Sequence, residues 1–505
     1  MVDLQRRALL IGAAATVAAL RVGATAVAAP IRRAPLPLDP FTLGVASGDP
    51  APDGFVLWTR LAPDPLNGGG MPPDPVSVTW EVATDDTFAV IEATGTVTAI
   101  ADLAHTAHVE ITGLEPGTVH WYRFRVEGWD SPVGRARTLA VGSPDALRFG
   151  FVSCQSYASG YYTALAALAT EECDLWLHLG DYIYENAGGG PTRSHGPDEC
   201  FTLEQYRARY ALYKTDPDLQ AAHHAASMIP VWDDHEVDNN YEVVDDARRT
   251  AGYRAWFEHL PVRLPAPEGP SLQIYRQFRW GDLVTFHMLD VRQYRDPAPC
   301  GGGVDDCPER LGEDRTLLGT AQQTWLEDGL ATSDALWDVI GQQVVFTPLP
   351  FGPLYNLDQW DGYPQQRERV WEMLKQRPNP VIVTGDIHAA GVAALNETLG
   401  DVGTRRIGTE LVGTSVSSRF DPVLIDAAEA LIGSLPYVEY SNARERGYTV
   451  VDVTRERLRA TFKVVSTIDS RDATVSVAYV ADIPVGGGDA APPAAPVTAP
   501  ATFTG

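Results

Sequence analysis

The stretch Leu177-His178-Leu179-Gly180-Asp181-Tyr182-Ile183-Tyr184-Glu185 decides the fold. With Asp174-Leu175-Trp176 before it, it reads as an apolar strand that stops at a Gly-Asp pair. Gly-Asp alone also makes turns. Three other apolar runs stop in the same way: at Ser153-Cys154, at Asp233-Asp234-His235-Glu236 and at Gly385-Asp386-Ile387-His388. In an open α/β sheet, ligands bind at the carboxyl ends of the strands. Two cations ~3.5–4 Å apart need a bridging carboxylate and several flanking ligands. Four strand ends that each offer Asp, His, Cys or Tyr meet that need.

Outward from this stretch, apolar strands are expected at 147–153, 174–179, 226–232, 283–289, 344–346 and 381–384, with a helix over 161–172. Strands alternating with helices define an α/β layered domain, placed at 143–484. Residues 41–142 differ. Short alternating segments such as Gly54–Arg60 and Val76–Val82 are broken by Gly, Pro and Asp. That pattern predicts an all-β sandwich. Leu114-Glu115-Pro116-Gly117-Thr118 followed by Trp121–Val126 resembles the corner and following strand of a fibronectin type III module. Residues 29–40 read as a Pro-rich linker and 485–505 as a disordered Ala/Pro-rich tail.

The chain has 505 residues and a net charge of −27. Such a surface repels a polyphosphate backbone, so duplex nucleic acid is not an expected partner. The first 28 residues read as an export signal: Arg6-Arg7, an uncharged run from Ala8 to Leu20, and a small-residue end at Ala26-Val27-Ala28. The paired arginines favour the twin-arginine export machinery, with an ordinary secretory signal or an uncleaved anchor as the alternative. No later run is long and apolar enough to span a bilayer, so no stable membrane anchor is expected. The mature protein is expected outside the cytoplasm, in the cell wall, periplasm or medium. Cys300 and Cys307 flank a short Gly/Asp loop and are expected to form a disulfide; Cys173 and Cys200 are a second possible pair.

The motifs together resemble a known family. Gly180-Asp181-x-x-Tyr184, Asp234-His235-Glu236 and Gly385-Asp386-x-His388 are similar to the calcineurin-like metallophosphoesterase pattern in its purple-acid-phosphatase-related form. Ser153-Cys154-Gln155, Trp232–Tyr241 and Leu289-Asp290-Val291-Arg292-Gln293-Tyr294-Arg295 narrow the resemblance to the alkaline phosphatase D family. Phe41–Pro50 with Val56–Arg60 resembles its N-terminal module, and the likeness runs over about 39–470. The resemblance implies a four-layered α/β/β/α phosphoesterase sandwich. It also implies Fe³⁺ and Ca²⁺ as cofactors, and cleavage of phosphomonoesters and phosphodiesters.

Residue chemistry gives each candidate a role. Asp181 is the candidate bridging carboxylate. Tyr184 suits Fe³⁺ as a phenolate, and His388 is the imidazole ligand. For Cys154 the resemblance implies a thiolate on iron; from the residues alone the alternative is a buried structural Cys or a disulfide partner. Asp234 and Asp386 are hard oxygen donors suited to Ca²⁺, and Asp233 is an alternative to Asp234. His235 is a candidate catalytic group toward the phosphoryl oxygen or leaving group, or else a partner that orients a ligand. Arg292 is a candidate phosphate clamp, with an Asp290–Arg292 network as the alternative. His178 reads as a satisfied core histidine, His223-His224 as surface, and Glu236 as a support rather than a base. The expected reaction is attack of a metal-activated hydroxide on phosphorus. Two rival readings remain: a diesterase for phospholipid head groups or teichoic-acid-like polymers, and an inactive secreted wall-polymer binder.

Overall fold

The computed structural model describes residues 36–241 and 244–486. The export signal, most of the linker and residues 487–505 lie outside the described residues. Two large sheets carry the architecture. One has nine strands, in the order 475–484, 457–465, 447–454, 146–152, 175–179, 227–231, 45–51, 54–60 and 106–111. The other has seven, in the order 276–280, 284–288, 337–341, 380–384, 406–412, 390–396 and 438–442.

The central strands 146–152, 175–179 and 227–231 run parallel, and so do 284–288, 337–341, 380–384 and 406–412. Every residue of Leu175–Leu179 is buried because both faces are covered. Leu179 faces the second sheet, close to Gly341, while Trp176 packs against His223 on the helix Pro217–Ala225. Phe149 of the first sheet meets Phe286 of the second edge-on at 5.1 Å between ring centroids. The helix Leu203–Lys214 starts at a capping box of Thr202 and Gln205, and Pro217–Ala225 at an Asp216 cap with Pro217 in its first turn. Both cover the outer face of the first sheet through Tyr206, Tyr210, Leu219 and Ala222. The helices Gly319–Thr332 and Pro364–Leu374 cover the second through Leu326, Leu330, Val370 and Trp371. The result is the expected α/β/β/α layering.

The N-terminal β region divides between two sheets. Its strands 91–99, 76–83, 119–126 and 129–130, with 134–137, form a separate five-stranded sheet. The remaining three extend the nine-stranded sheet, because Val45–Ala51 pairs parallel to Ser227–Val231 at Gly48 and Met228. This covers what would otherwise be an open strand edge. The seam is closed by Trp58, whose indole donates to the Glu258 carbonyl at 2.9 Å.

Several sequence expectations change. Val344–Phe346 is a buried loop, and the strand is Trp337–Gly341. The loop's amides are satisfied by side chains: Val345 donates to Gln359, and Phe346 and Thr347 donate to the Glu410 carboxylate. The disulfide Cys300–Cys307 is present, while Cys173 and Cys200 are both free and buried. They cannot pair. Cys173 precedes the start of Leu175–Leu179, whereas the Cys200 amide donates to Glu185 beyond its other end. His223 is buried with its Nε2 2.8 Å from the Tyr182 hydroxyl, and His224 is half-buried, so neither is a surface residue. Among the described residues no helix is long and apolar enough to cross a membrane.

His178 is in the core, but it is not satisfied. It is fully buried beside Trp176 and Tyr182, and neither ring nitrogen has a hydrogen-bond partner. Burial pushes its pKa down to about 3. A folded value below the unfolded one means the stability is complete above pH 6.5 and is lost as the pH falls toward 3. At pH 5 the loss is about 2 kcal/mol. Urea unfolding at pH 7 and pH 5 should therefore show a shallower acid loss in His178→Leu; equal slopes in the two proteins would contradict this.

Candidate metal centre

The four strand ends converge. Three belong to the first sheet (146–152, 175–179 and 227–231), and the fourth, 380–384, to the second. The turns that leave them are stitched together by the backbone. Cys154 N donates to Gly180 O and Gln155 N to Asp181 O, both at 3.1 Å, and Ser418 N donates to Cys154 O at 3.1 Å. Gly180 has φ +104°, and a Cβ there would lie 2.4 Å from that of Asp233. Only glycine lets the second and third strand ends approach this closely. Cys154, Asp181, Asp386 and His388 take left-handed backbone conformations, with φ of 58°, 57°, 63° and 54°. Such conformations cost non-glycine residues roughly 1–3 kcal/mol each and gather at functional sites.

The side chains form three overlapping groups whose donor atoms lie within 4.8 Å of one another: Cys154, Asp181 and His388; Asp181, Asp234 and His235; and Asp233, Asp234 and Asp386. Asp181 belongs to two of them, and so does Asp234. Tyr184 joins the first, its hydroxyl 2.7 Å from Asp181 Oδ2 and 3.2 Å from His388 Nε2. Ser418 Oγ donates to that hydroxyl at 2.6 Å. The donors suit a cation centre. Asp181 Oδ1 and Asp233 Oδ2 are buried with no hydrogen-bond partner, and leaving such atoms unsatisfied is costly. Burial pushes Asp181 well above the usual carboxylate range, and Asp234, Glu236 and Asp386 push it further against the pull of His235. Asp386 is pushed up to about 6, mainly by burial. Burial and then Asp181 also raise the Cys154 thiol. A bound cation relieves each of these penalties at once.

The surrounding side chains aim the donors. Glu236 accepts the backbone N–H groups of Asp181 at 3.2 Å, Tyr182 at 2.7 Å and Asp233 at 2.9 Å, so one buried carboxylate fixes two strand ends. His235 is held by Glu185 at 2.7 Å through Nδ1, and its ring lies over that of Tyr184. Arg292 is fully buried, and each of its three nitrogens donates to a carboxylate: Asp233, Asp358 at 2.7 Å and Asp386 at 3.3 Å. This geometry aims it at the candidate ligands instead of open space, and its backbone N–H also engages Asp290. Gln359 donates to the other oxygen of Asp386 at 2.5 Å. Glu185, Asp358, Gln359 and Ser418 are functional neighbours not expected from the sequence. Glu185 ends the decisive motif, but the other three sit in loops with no periodic signal.

A cleft of about 670 Å³ opens over Asp386 and His388, with Asn240, Asp358, Gln359 and Arg419 also on its wall. A doubled sheet with acidic, thiol, phenol and imidazole donors at its strand ends suits a metal-dependent hydrolase. Comparison with known proteins makes it a phosphoric ester hydrolase. Residues 149–462 match the PhoD-like phosphatase family and 26–140 its N-terminal domain. The chain is 43% identical over 464 residues to alkaline phosphatase D of Bacillus subtilis, covering 86% of this chain and 79% of that protein. It also matches the solved structure of PhoD with a TM-score of 0.88 at 40% identity, over 92% of this chain and 94% of that one. The chain belongs to the PhoD-like phosphatase family.

The Glu236 clamp yields a direct test. Glu236→Ala leaves three buried N–H groups without their acceptor and should cost about 3 kcal/mol or more in urea unfolding. It should also weaken metal binding by about 10–100-fold in a metal titration. Glu236→Gln, which keeps one acceptor oxygen, should fall between. Wild-type stability and metal affinity in Glu236→Ala would refute the clamp.

Proposed function

We propose that the chain hydrolyses phosphomonoesters and phosphodiesters outside the cytoplasm, with Fe³⁺ and Ca²⁺ as its cations. The observation that supports this reading is the pair of overlapping donor sets that share Asp181. Cys154, Tyr184 and His388 would hold the iron, because thiolate, phenolate and imidazole suit a ferric ion. Asp234 and Asp386 would hold the calcium with Asp233 beside them, because it prefers oxygen donors. Asp181 would serve both. When bound, such a pair supplies a hydroxide at ordinary pH and offsets charge on the phosphoryl oxygens.

The chain's own groups do the rest. Arg292 balances and orients Asp233, Asp358 and Asp386, which makes it a positioning residue. Arg419 lies on the cleft wall, partly exposed, and can meet a substrate oxyanion. Glu185 holds the His235 imidazole so that Nε2 is the nitrogen left for the phosphoryl group or the leaving oxygen. No side-chain nucleophile is required, so the phosphoryl group passes directly to water. Export is supported by the Cys300–Cys307 disulfide, which suits an oxidising compartment, and the twin-arginine route by Arg6-Arg7. Secreted protein should begin near Ala29.

Ranked substitutions test the assignment. Asp181→Asn should lower kcat/KM by more than about 100-fold, beyond what loss of an outer partner causes. Cys154→Ser should release iron, because an alcohol is rarely ionised near neutral pH. Tyr184→Phe should keep the fold and change the visible absorption of the iron-loaded protein. Should Cys154→Ser and Tyr184→Phe both keep full iron, colour and turnover, these two residues are structural and the iron assignment fails.

A further inference from the structure

The cleft is larger than a phosphoryl group needs, and its chemistry is divided. Asn240, Asp358, Gln359, Asp386 and His388 gather at one end. The rest of the wall is largely apolar, with Leu349, Phe351 and the helix Ile425–Ile432 contributing to it. Leu424, Ala427, Ala428 and Leu431 all line the cleft. Their spacing of three, four and seven residues makes them one stripe of that helix. Its polar residues Asp426 and Glu429 are engaged elsewhere, by Arg444. Of the helix residues only Ala428 is buried, and Leu424, which caps the helix, is 53% exposed. The apolar stripe therefore borders the cleft instead of the core. It is continuous with the candidate metal centre, so the group that reaches it is the one attached to the phosphorus.

We infer that this wall is a subsite for an alkyl chain on one ester oxygen, and that the substrate class is a dissolved phosphodiester carrying a single such chain. The inference rests on the phosphoesterase reading above. A single helix stripe accommodates one chain. The net charge of −27 disfavours approach to anionic lipid surfaces, which favours a dissolved substrate.

The test is kcat/KM of the metal-loaded enzyme on methyl, butyl and octyl p-nitrophenyl phosphate, each below its self-association concentration. Burying a methylene favours binding by about fourfold. Even partial burial should therefore put the octyl ester about 30-fold or more above the methyl ester. Leu424→Gln with Leu431→Gln, both at partly exposed positions, should reduce that octyl-to-methyl ratio to about threefold or less. Leu349→Gln, at a lining position outside that helix, should lower it independently should the double variant fail to fold. Octylphosphonate should inhibit wild type more tightly than methylphosphonate by a similar ratio. A flat series would overturn the subsite, as would a ratio that survives these substitutions or acceleration only by vesicle-borne chains. Failure to turn over any of the three esters would instead overturn the diesterase part of the proposed function, on which the subsite rests.

Discussion

Carboxylates crowded together at strand ends are the constraint around which this molecule is organised. Asp181, Asp233 and Asp234, all buried, and the half-buried Asp386 stand at strand ends within a few ångströms of one another and repel when ionised. In a low-dielectric interior such a set does not stay ionised without counter-charge. Arg292 supplies part of it, reaching three carboxylates at once. Backbone amides supply more, as at Glu236. What remains is a deficit of positive charge at atoms with no partner, and that deficit is the chemical reason the site suits cations.

The fold makes the crowding affordable. Short parallel strands covered on both faces end at nearly the same level, and Gly180 lets two of those ends touch. Left-handed backbone at Cys154, Asp181, Asp386 and His388 turns each donor into the shared space. Strain of that kind persists only where the surroundings over-determine it. Here the surroundings include the N-terminal strands, which widen the first sheet and lock onto it through Trp58. The disulfide-closed segment 300–307 also contributes, with Val304 on the wall of the cleft.

Much of this was legible in the sequence because an apolar run that stops at Gly-Asp is a local signal. Asp181, Asp386 and His388 could be found that way, and Cys154 and Tyr184 through the motifs around them. Asp358 could not, since it follows a two-residue strand at 355–356 and matters only because Arg292 arrives from a distant segment. Trp337–Gly341 was missed because Asp338 interrupts its apolar character; the carboxylate is tolerated in the core because His287 and Arg377 bind it at 2.9 and 2.6 Å. Val344–Phe346 misled for the opposite reason, being apolar enough for a strand while its amides are satisfied by Gln359 and Glu410. The union of the N-terminal strands with the catalytic sheet had no local trace, since Gly48 pairs with Met228 far along the chain.

The central claim is that these strand ends hold two different cations side by side. Anomalous diffraction at the iron edge, on crystals of the metal-loaded protein, tests it most directly. The account predicts an iron peak bonded to Cys154, Asp181, Tyr184 and His388, with a second, non-iron cation ~3.5–4 Å away among Asp181, Asp234 and Asp386. Iron bound elsewhere, with Asp181 still hydrogen-bonded to Tyr184 and no cation between them, would contradict it.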